Sequence, residues 1–316
     1  MTAAAGGTGV PRPVAPPVRP RLGTDTVAGW LFSAPAVALI AIFIVLPFSL
    51  AFFFSFTNER LLAPPGRETQ WIGLDNYART FNDPRFWTGL TNNIVFSIVV
   101  VPLQTFFALL LASLVNQRLR GVVVFRTIFF MPITVVMAAV SVIWVVLLNP
   151  QGLVNAFMEI VTFGNFSPDW LGDPAYALAA VMLVSIWASV GFQMVILLAA
   201  LQDVPESLYE AARLDGANRW QQFLNVTLPG IRNPLLFVLT ITTILSFRLF
   251  DQVWIMPDRP GGPLDATRTL MVDIVDTGLN NQAVGRGSAL SVIFLLIVLG
   301  VTIVQRRLIK QEGEVR

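Results

Sequence analysis

The chain has 316 residues, 55% of them hydrophobic and only 13% charged, with a net charge of +2 and a mean hydropathy of +0.68. That composition excludes a soluble globular domain and indicates an all-α, polytopic membrane protein. The sequence holds neither cysteine nor histidine, which removes disulfide scaffolds, zinc sites, thiol nucleophiles and imidazole bases, and its arginines are scattered over loops, which speaks against a nucleic-acid partner.

Residues 1–22 are rich in Ala, Gly and Pro, with Arg12, Arg19 and Arg21 as their charges, and are expected to be a disordered cytoplasmic tail. The apolar run over about 30–56 is too long for a cleaved leader and reads as the first membrane span, bent or interrupted near Pro47. Residues 58–90 are polar but carry Trp71, Tyr77, Phe86 and Trp87, aromatic types that favour the membrane interface. Apolar runs over about 91–116 and 122–148 follow, with Arg118, Arg120 and Arg126 around the short loop between them. Residues 149–174 contain no Lys or Arg but do contain Glu159, Asp169 and Asp173. A fourth span over about 176–201, in which Gly191 permits close helix approach or a bend, leads into a polar stretch at 203–234. A fifth span covers about 235–256, and a sixth, about 288–305, runs into Arg306, Arg307 and Lys310. Residues 23–310 are thus expected to form one six-span domain, closed by a short cytoplasmic tail at 311–316.

Six spans place both ends on one side, and basic residues decide which. With the N-terminus inside, Arg12, Arg19, Arg21, Arg118, Arg120, Arg126, Arg213, Arg219, Arg232, Arg306, Arg307, Lys310 and Arg316 are cytoplasmic. Arg60, Arg67, Arg79, Arg85, Arg259, Arg268 and Arg286 are outside. The excess of positive charge inside puts both termini and the 203–234 stretch in the cytoplasm.

That stretch reads as two short helices joined by a glycine. Asp203 can cap, Pro205 suits a first helical position, and Glu206 meets the positive end of the helix dipole. Gly216 supplies a sharp reversal, and Asn218 with Gln221 forms a capping-box pattern opening a second helix, whose apolar face carries Trp220, Phe223 and Leu224. Leu228-Pro229 is expected to end the unit. The pattern Glu210-Ala211-Ala212, three residues, Gly216, nine residues, Val226-Thr227-Leu228-Pro229 resembles the EAA motif of ABC importer permeases, in which isoleucine is usual at the position of Val226. The resemblance extends over roughly residues 30–305 and is strongest to carbohydrate-uptake permeases of the maltose and glycerol-phosphate type. WIGLDNYARTF after the first span, and Gly261-Gly262-Pro263 with Thr269-Leu270 after the fifth, are similar to external segments of those permeases.

The resemblance implies a multi-pass subunit of a bacterial inner membrane that forms half of a translocation path for a sugar or related polyol. It implies docking on an ATPase through Glu210, Ala211, Ala212, Asp215, Gly216, Leu228 and Pro229. It also implies a second homologous permease, two ATPase subunits that bind ATP and magnesium, and an external substrate-binding protein, with no cofactor or metal in this chain. No phosphate-cradling Gly-rich loop ending in Lys-Ser or Lys-Thr occurs in the sequence, so hydrolysis falls to a partner. A glycerol-phosphate or glycerophosphodiester importer is the alternative reading. An ion-coupled carrier or an intramembrane enzyme would need acidic clusters or a nucleophile and base that are not found.

Within the spans, Arg248 and Asp251 are three residues apart and are expected on one helical face, lining the path or satisfying one another near the outer interface. Asn93 and Gln193 are further path candidates, although, like Asn92 and Gln104, each also suits a packing hydrogen bond. Trp144 and Trp187 suit packing.

Overall fold

A computed structural model describes residues 24–62, 66, 68–117 and 121–311. The expected N-terminal tail, Arg118, Arg120 and residues 312–316 lie outside the described residues. The fold is helical, and the strand-like feature among the described residues is an isolated bridge between Thr57 and Trp71.

Helices α1 (Thr24–Ile40) and α2 (Leu46–Phe54) are joined by a π-helical turn over Ala41–Val45. Proline lacks a backbone donor and crowds the carbonyl one turn earlier, so the wider turn ahead of Pro47 absorbs the conflict without ending the helix. The interruption expected near Pro47 takes this form. Every side chain from Val27 to Leu50 is exposed. A short helix, α3 (Asp75–Phe81), follows. Buried Asn76 secures it by donating to the carbonyls of Ser55 and Thr57 at 2.9 and 2.8 Å.

The long helix α4 (Pro84–Val115) starts with Pro84 in the first turn, where a missing donor costs nothing, and with Asp83 accepting from the Arg85 amide. Next come α5 (Val122–Phe130), a 3₁₀ turn over Met131–Thr134 containing Pro132, extended Val135 and Val136, and α6 (Met137–Leu147). The two helical pieces meet at 102°. The run 122–148 is therefore not one straight span: Pro132 removes a ladder donor, and the β-branched pair beyond it adopts the extended conformation it prefers.

Helix α7 (Leu153–Val161) is short, whereas α8 (Pro174–Asp203), capped by Asp173, has 30 residues and a length of about 45 Å. Helices α4 and α8 form the centre of the bundle. Ala108, Ala112, Val115, Met194, Leu197 and Leu198 pack at one end, and Phe96, Val100, Val181, Val184 and Ala188 at the other. Small side chains let these backbones approach. At Gly191 a methyl group cannot be added without moving the backbone, because a Cβ there would lie 1.9 Å from the Phe129 carbonyl oxygen.

The stretch after α8 folds as α9 (Glu206–Leu214), α10 (Arg219–Gln222), a π turn over Phe223–Thr227 and α11 (Leu228–Gly230). The fifth span is α12 (Arg232–Phe247) with α13 (Asp251–Ile255), and α14 (Leu270–Val275) precedes the last helix, α15 (Val284–Gln311). Five helical segments are long and apolar enough to cross a membrane, and the bent α5–α6 pair makes a sixth.

Candidate functional site: a helical elbow and an intramembrane cavity

The elbow is built by local chemistry. Gly216 has φ of +78°, a region that side chains resist, so the chain reverses between α9 and α10. Asn218 Oδ1 accepts from the Gln221 amide at 2.9 Å and Gln221 Oε1 accepts from the Asn218 amide at 2.8 Å, completing the expected capping box. Tyr209 and Thr227 hydroxyls, 2.9 Å apart, join the two halves.

Two details differ from the sequence expectation. Asp203 does not cap α9; it is the last residue of α8, and Pro205 occupies the cap position without a side-chain bond. Leu228-Pro229 does not end the unit either. The π turn before it supplies the Leu228 amide with the Phe223 carbonyl, so Leu228 stays helical and the break comes at Ile231, with φ −96° and ψ 10°.

Glu210, Ala211, Asp215, Gly216 and Pro229 are exposed, and Ala212 and Leu228 are half-buried. Around them stand Leu208, Leu214 and Trp220, the last 66% exposed and stacked on Phe223 at 5.6 Å. Glu206 lies 3.8 Å from Arg213. Glu210 has no ion pair among the described residues, so its carboxylate stands free beside an uncovered apolar patch.

Between α4, α6, α8 and the α12–α13 junction lies a cavity of about 270 Å³. Arg248 and Asp251 both line it, together with Gln104, Ser185, Ser189, Thr242, Ser246 and Gln252, and with the rings of Phe96 and Phe250. They do not share a helical face. Arg248 closes α12, Phe250 has φ −139° and ψ −62°, and Asp251 opens α13. No ion pair joins the two among the described residues, so neither the expected common face nor mutual satisfaction holds. Each charge is presented to the cavity from a different side of a break.

The other two path candidates make packing hydrogen bonds, although Gln193 Oε1 is buried without a partner among the described residues. Asn93 is fully buried, donating to the Phe247 carbonyl at 3.2 Å and accepting from the Leu270 amide at 2.9 Å, which ties α4 to the ends of α12 and α14. Gln193 donates to Thr242 Oγ1. Neither lines the cavity. Asn92 donates to the carbonyls of Asp265 and Arg268, and Trp144 packs edge to face on Trp187. The hydroxyls at Ser185 and Ser189, and at Thr242 and Ser246, recur at a spacing of four on two facing helices. That spacing was the signal that could have found the cavity wall.

The loop after the fifth span holds a network absent from the sequence reading. Buried Arg268 bonds Asp273 at 2.5 Å, Asp265 at 3.1 Å and Asp276 at 3.4 Å. Burial pushes the Asp273 carboxyl up to about 6; Arg268 opposes that, while Asp83 and Asp265 add to it. Asp273 Oδ2 has no hydrogen-bond partner among the described residues and lies over Gly89 of α4. Asp83, in contrast, is held below its ordinary value: burial acts upward, but the Arg85 amide and the Arg286 guanidinium outweigh it.

Several membrane crossings, a polar cavity at a broken span and an exposed helical elbow together define a transport subunit rather than a membrane anchor. A family profile described as the binding-protein-dependent transport system inner membrane component matches residues 104–311, and the chain belongs to this family of ABC transporter permeases. It is similar to the lactose transport system permease protein LacF of Rhizobium radiobacter, 34% identical over 249 residues, 78% of this chain and 82% of that one. It is similar also to the trehalose/maltose transport system permease protein MalF of Thermococcus litoralis, 33% identical over 277 residues, 87% and 91% of the two chains. The sn-glycerol-3-phosphate transport system permease protein UgpA of Yersinia enterocolitica is 30% identical over 285 residues, 90% and 94%. A chain in the crystal structure of a bacterial ABC transporter that imports the acidic polysaccharide alginate shares the fold, with a TM-score of 0.79 at 22% identity, covering 93% of this chain and all of that one.

Proposed function

We propose that this permease conducts a neutral oligosaccharide or disaccharide inward, as one half of a path completed by a second homologous permease. Two ATPase subunits, which bind ATP and magnesium, drive it, and an external binding protein delivers the substrate. The observation that carries the coupling is the elbow. Its reversal at Gly216 leaves Glu210 and the apolar Leu208, Leu214 and Trp220 uncovered, as a surface that docks into a partner groove would be. In this reading the docking set is Glu210, Ala211, Ala212, Asp215, Gly216, Leu228 and Pro229, and both termini face the cytoplasm of a bacterial inner membrane.

The substrate class rests on the cavity. Hydroxyl and amide groups beside two aromatic rings suit a sugar, whose ring has polar edges and apolar faces. Arg248 and Asp251 both line the cavity, hold opposite charges and form no ion pair with one another among the described residues, so a neutral polyol can satisfy both. A glycerol-phosphate ester is the second reading, favoured by the guanidinium of Arg248 at the cavity, which has no ion pair among the described residues. Transport into vesicles holding the complete assembly tests the energy source: uptake that requires ATP and survives collapse of all ion gradients supports the proposal, and uptake driven by a gradient without ATP overturns it. Single cysteines at Ser207 and Asp258, both exposed, test the sidedness. Impermeant thiol reagents should reach Ser207→Cys only from the cytoplasmic side and Asp258→Cys only from outside.

A further inference from the structure

Helix α7 is amphipathic in the reverse sense to a water-facing helix. Its polar Asn155 is 1% exposed and fully engaged, donating to the carbonyls of Pro150 and Pro168 and accepting from the Trp170 indole at 2.7 Å. Val154, on the same inner side, packs against the core. The outer side carries Leu153, Phe157, Ile160 and Val161, which are 71, 60, 75 and 55% exposed. Their spacing of four, seven and eight residues from Leu153 makes one continuous stripe.

The end of the helix extends this stripe at a conformational cost. Phe163 adopts φ of +53° ahead of Gly164 at +79°, a left-handed region that a bulky side chain resists. The result is a phenyl ring 92% exposed, with the turn held by the Gly164 amide on the Glu159 carbonyl and by Thr162 on Met158.

We propose that α7 and Phe163 form an interfacial anchor seated in the lipid leaflet at the end of the bundle away from the elbow, which is the outer leaflet in the proposed orientation. The occupant is lipid rather than a protein partner because the stripe offers no hydrogen-bonding group and residues 149–174 contain no Lys or Arg, whereas protein interfaces ring their apolar centres with polar groups. The preceding helix α6, part of the bent third span, likewise leaves Val142, Ile143 and Val146 exposed. On the chain's other side the edge-packed rings of Phe166, Trp170 and Tyr176 are of the type that gathers at headgroup depth. Glu159, exposed on the flank, reaches water. An in-plane helix of this kind fixes the depth of the bent third span, from whose second half it is separated by residues 148–152.

The test uses nitroxide labels on single cysteines, one at a time, in the complete transporter reconstituted into vesicles of phosphatidylethanolamine and phosphatidylglycerol. Collision with oxygen, which concentrates in lipid, is compared with collision with a water-soluble nickel chelate. The ratio should favour oxygen at Phe157→Cys, Ile160→Cys and Phe163→Cys and invert at Glu159→Cys. Nickel excess at the three apolar positions would show a water-facing stripe, and exclusion of both reagents would show a protein-covered one. Either result overturns the proposal. Val161→Cys reads the same face should Phe163→Cys fail to assemble.

Discussion

Replacing Gly191 by alanine should damage this protein out of proportion to one methyl group. A Cβ at that position would stand 1.9 Å from the Phe129 carbonyl oxygen, 2.7 Å from its carbon and 3.1 Å from Phe130 Cα. All three are backbone atoms, so no side chain can swing aside; α5 and α8 must separate by more than an ångström. Overpacking typically costs about 1–3 kcal/mol, and a backbone collision belongs at or above the upper end of that range. Gly300→Ala is the internal control, because nothing lies within 4 Å of its Cβ position and alanine is the better helix former by up to about 1 kcal/mol. Thermal unfolding of the purified permease, scanned at one rate, should place Gly191→Ala well below the parent and Gly300→Ala at or above it. Uptake should fall with the first and not the second, since the displaced residues lead directly into the Met131–Thr134 break. Equal midpoints for the two variants would refute the packing argument.

Gly216→Val forces a β-branched residue to φ of +78° and should reduce co-purification with the ATPase while leaving membrane insertion intact. Arg248→Ala and Asp251→Asn should each lower uptake about tenfold or more if the substrate is a neutral sugar, by loss of a charged hydrogen bond worth about 1.5–3 kcal/mol; a phosphate ester would suffer only from the first. Asp273 has its folded-state value raised from 3.8 to about 6, so the stability it contributes is complete below pH 4 and is lost as pH rises through 6, a change of about 3 kcal/mol. Hydrogen exchange of residues 261–276 should therefore quicken across that interval, and Asp273→Asn should flatten the dependence.

What the sequence disclosed was whatever depends on neighbours along the chain. The capping box at Asn218 and Gln221, the reversal at Gly216 and the number of spans all follow from a few adjacent residues or from averaged hydropathy. The bend of the third span escaped because Val135 and Val136 are equally apolar whether helical or extended, and hydropathy cannot register the difference. Pro229 misled because a π turn can supply the bond that proline disrupts, and the choice between breaking and widening a helix is made by tertiary packing. The three-residue spacing of Arg248 and Asp251 gives one shared face only in an unbroken helix, and the break at Phe250 removes it. The cation that is buried and triply bonded, Arg268, sits in a turn-rich loop whose closure onto α4 through Asn92 and Asn93 has no sequence periodicity to announce it.

In the proposed function the elbow receives the ATPase, and Glu210 is the residue most directly open to test. The carboxylate is exposed and has no ion pair among the described residues, whereas Glu206, one turn earlier, already lies beside Arg213. Charge-assisted hydrogen bonds across a desolvated interface are about twice as strong as neutral ones, so removing Glu210 should be felt only in the assembly. The measurement is substrate-stimulated ATP hydrolysis and uptake by the complete transporter carrying Glu210→Ala or Glu206→Ala. Glu210→Ala should uncouple or weaken the assembly by at least tenfold, about 1.4 kcal/mol, with the thermal stability of the permease alone unchanged and Glu206→Ala milder. Hydrolysis and uptake within about twofold of the parent, under half a kcal/mol, would make Glu210 a solvated surface charge and contradict the docking assignment.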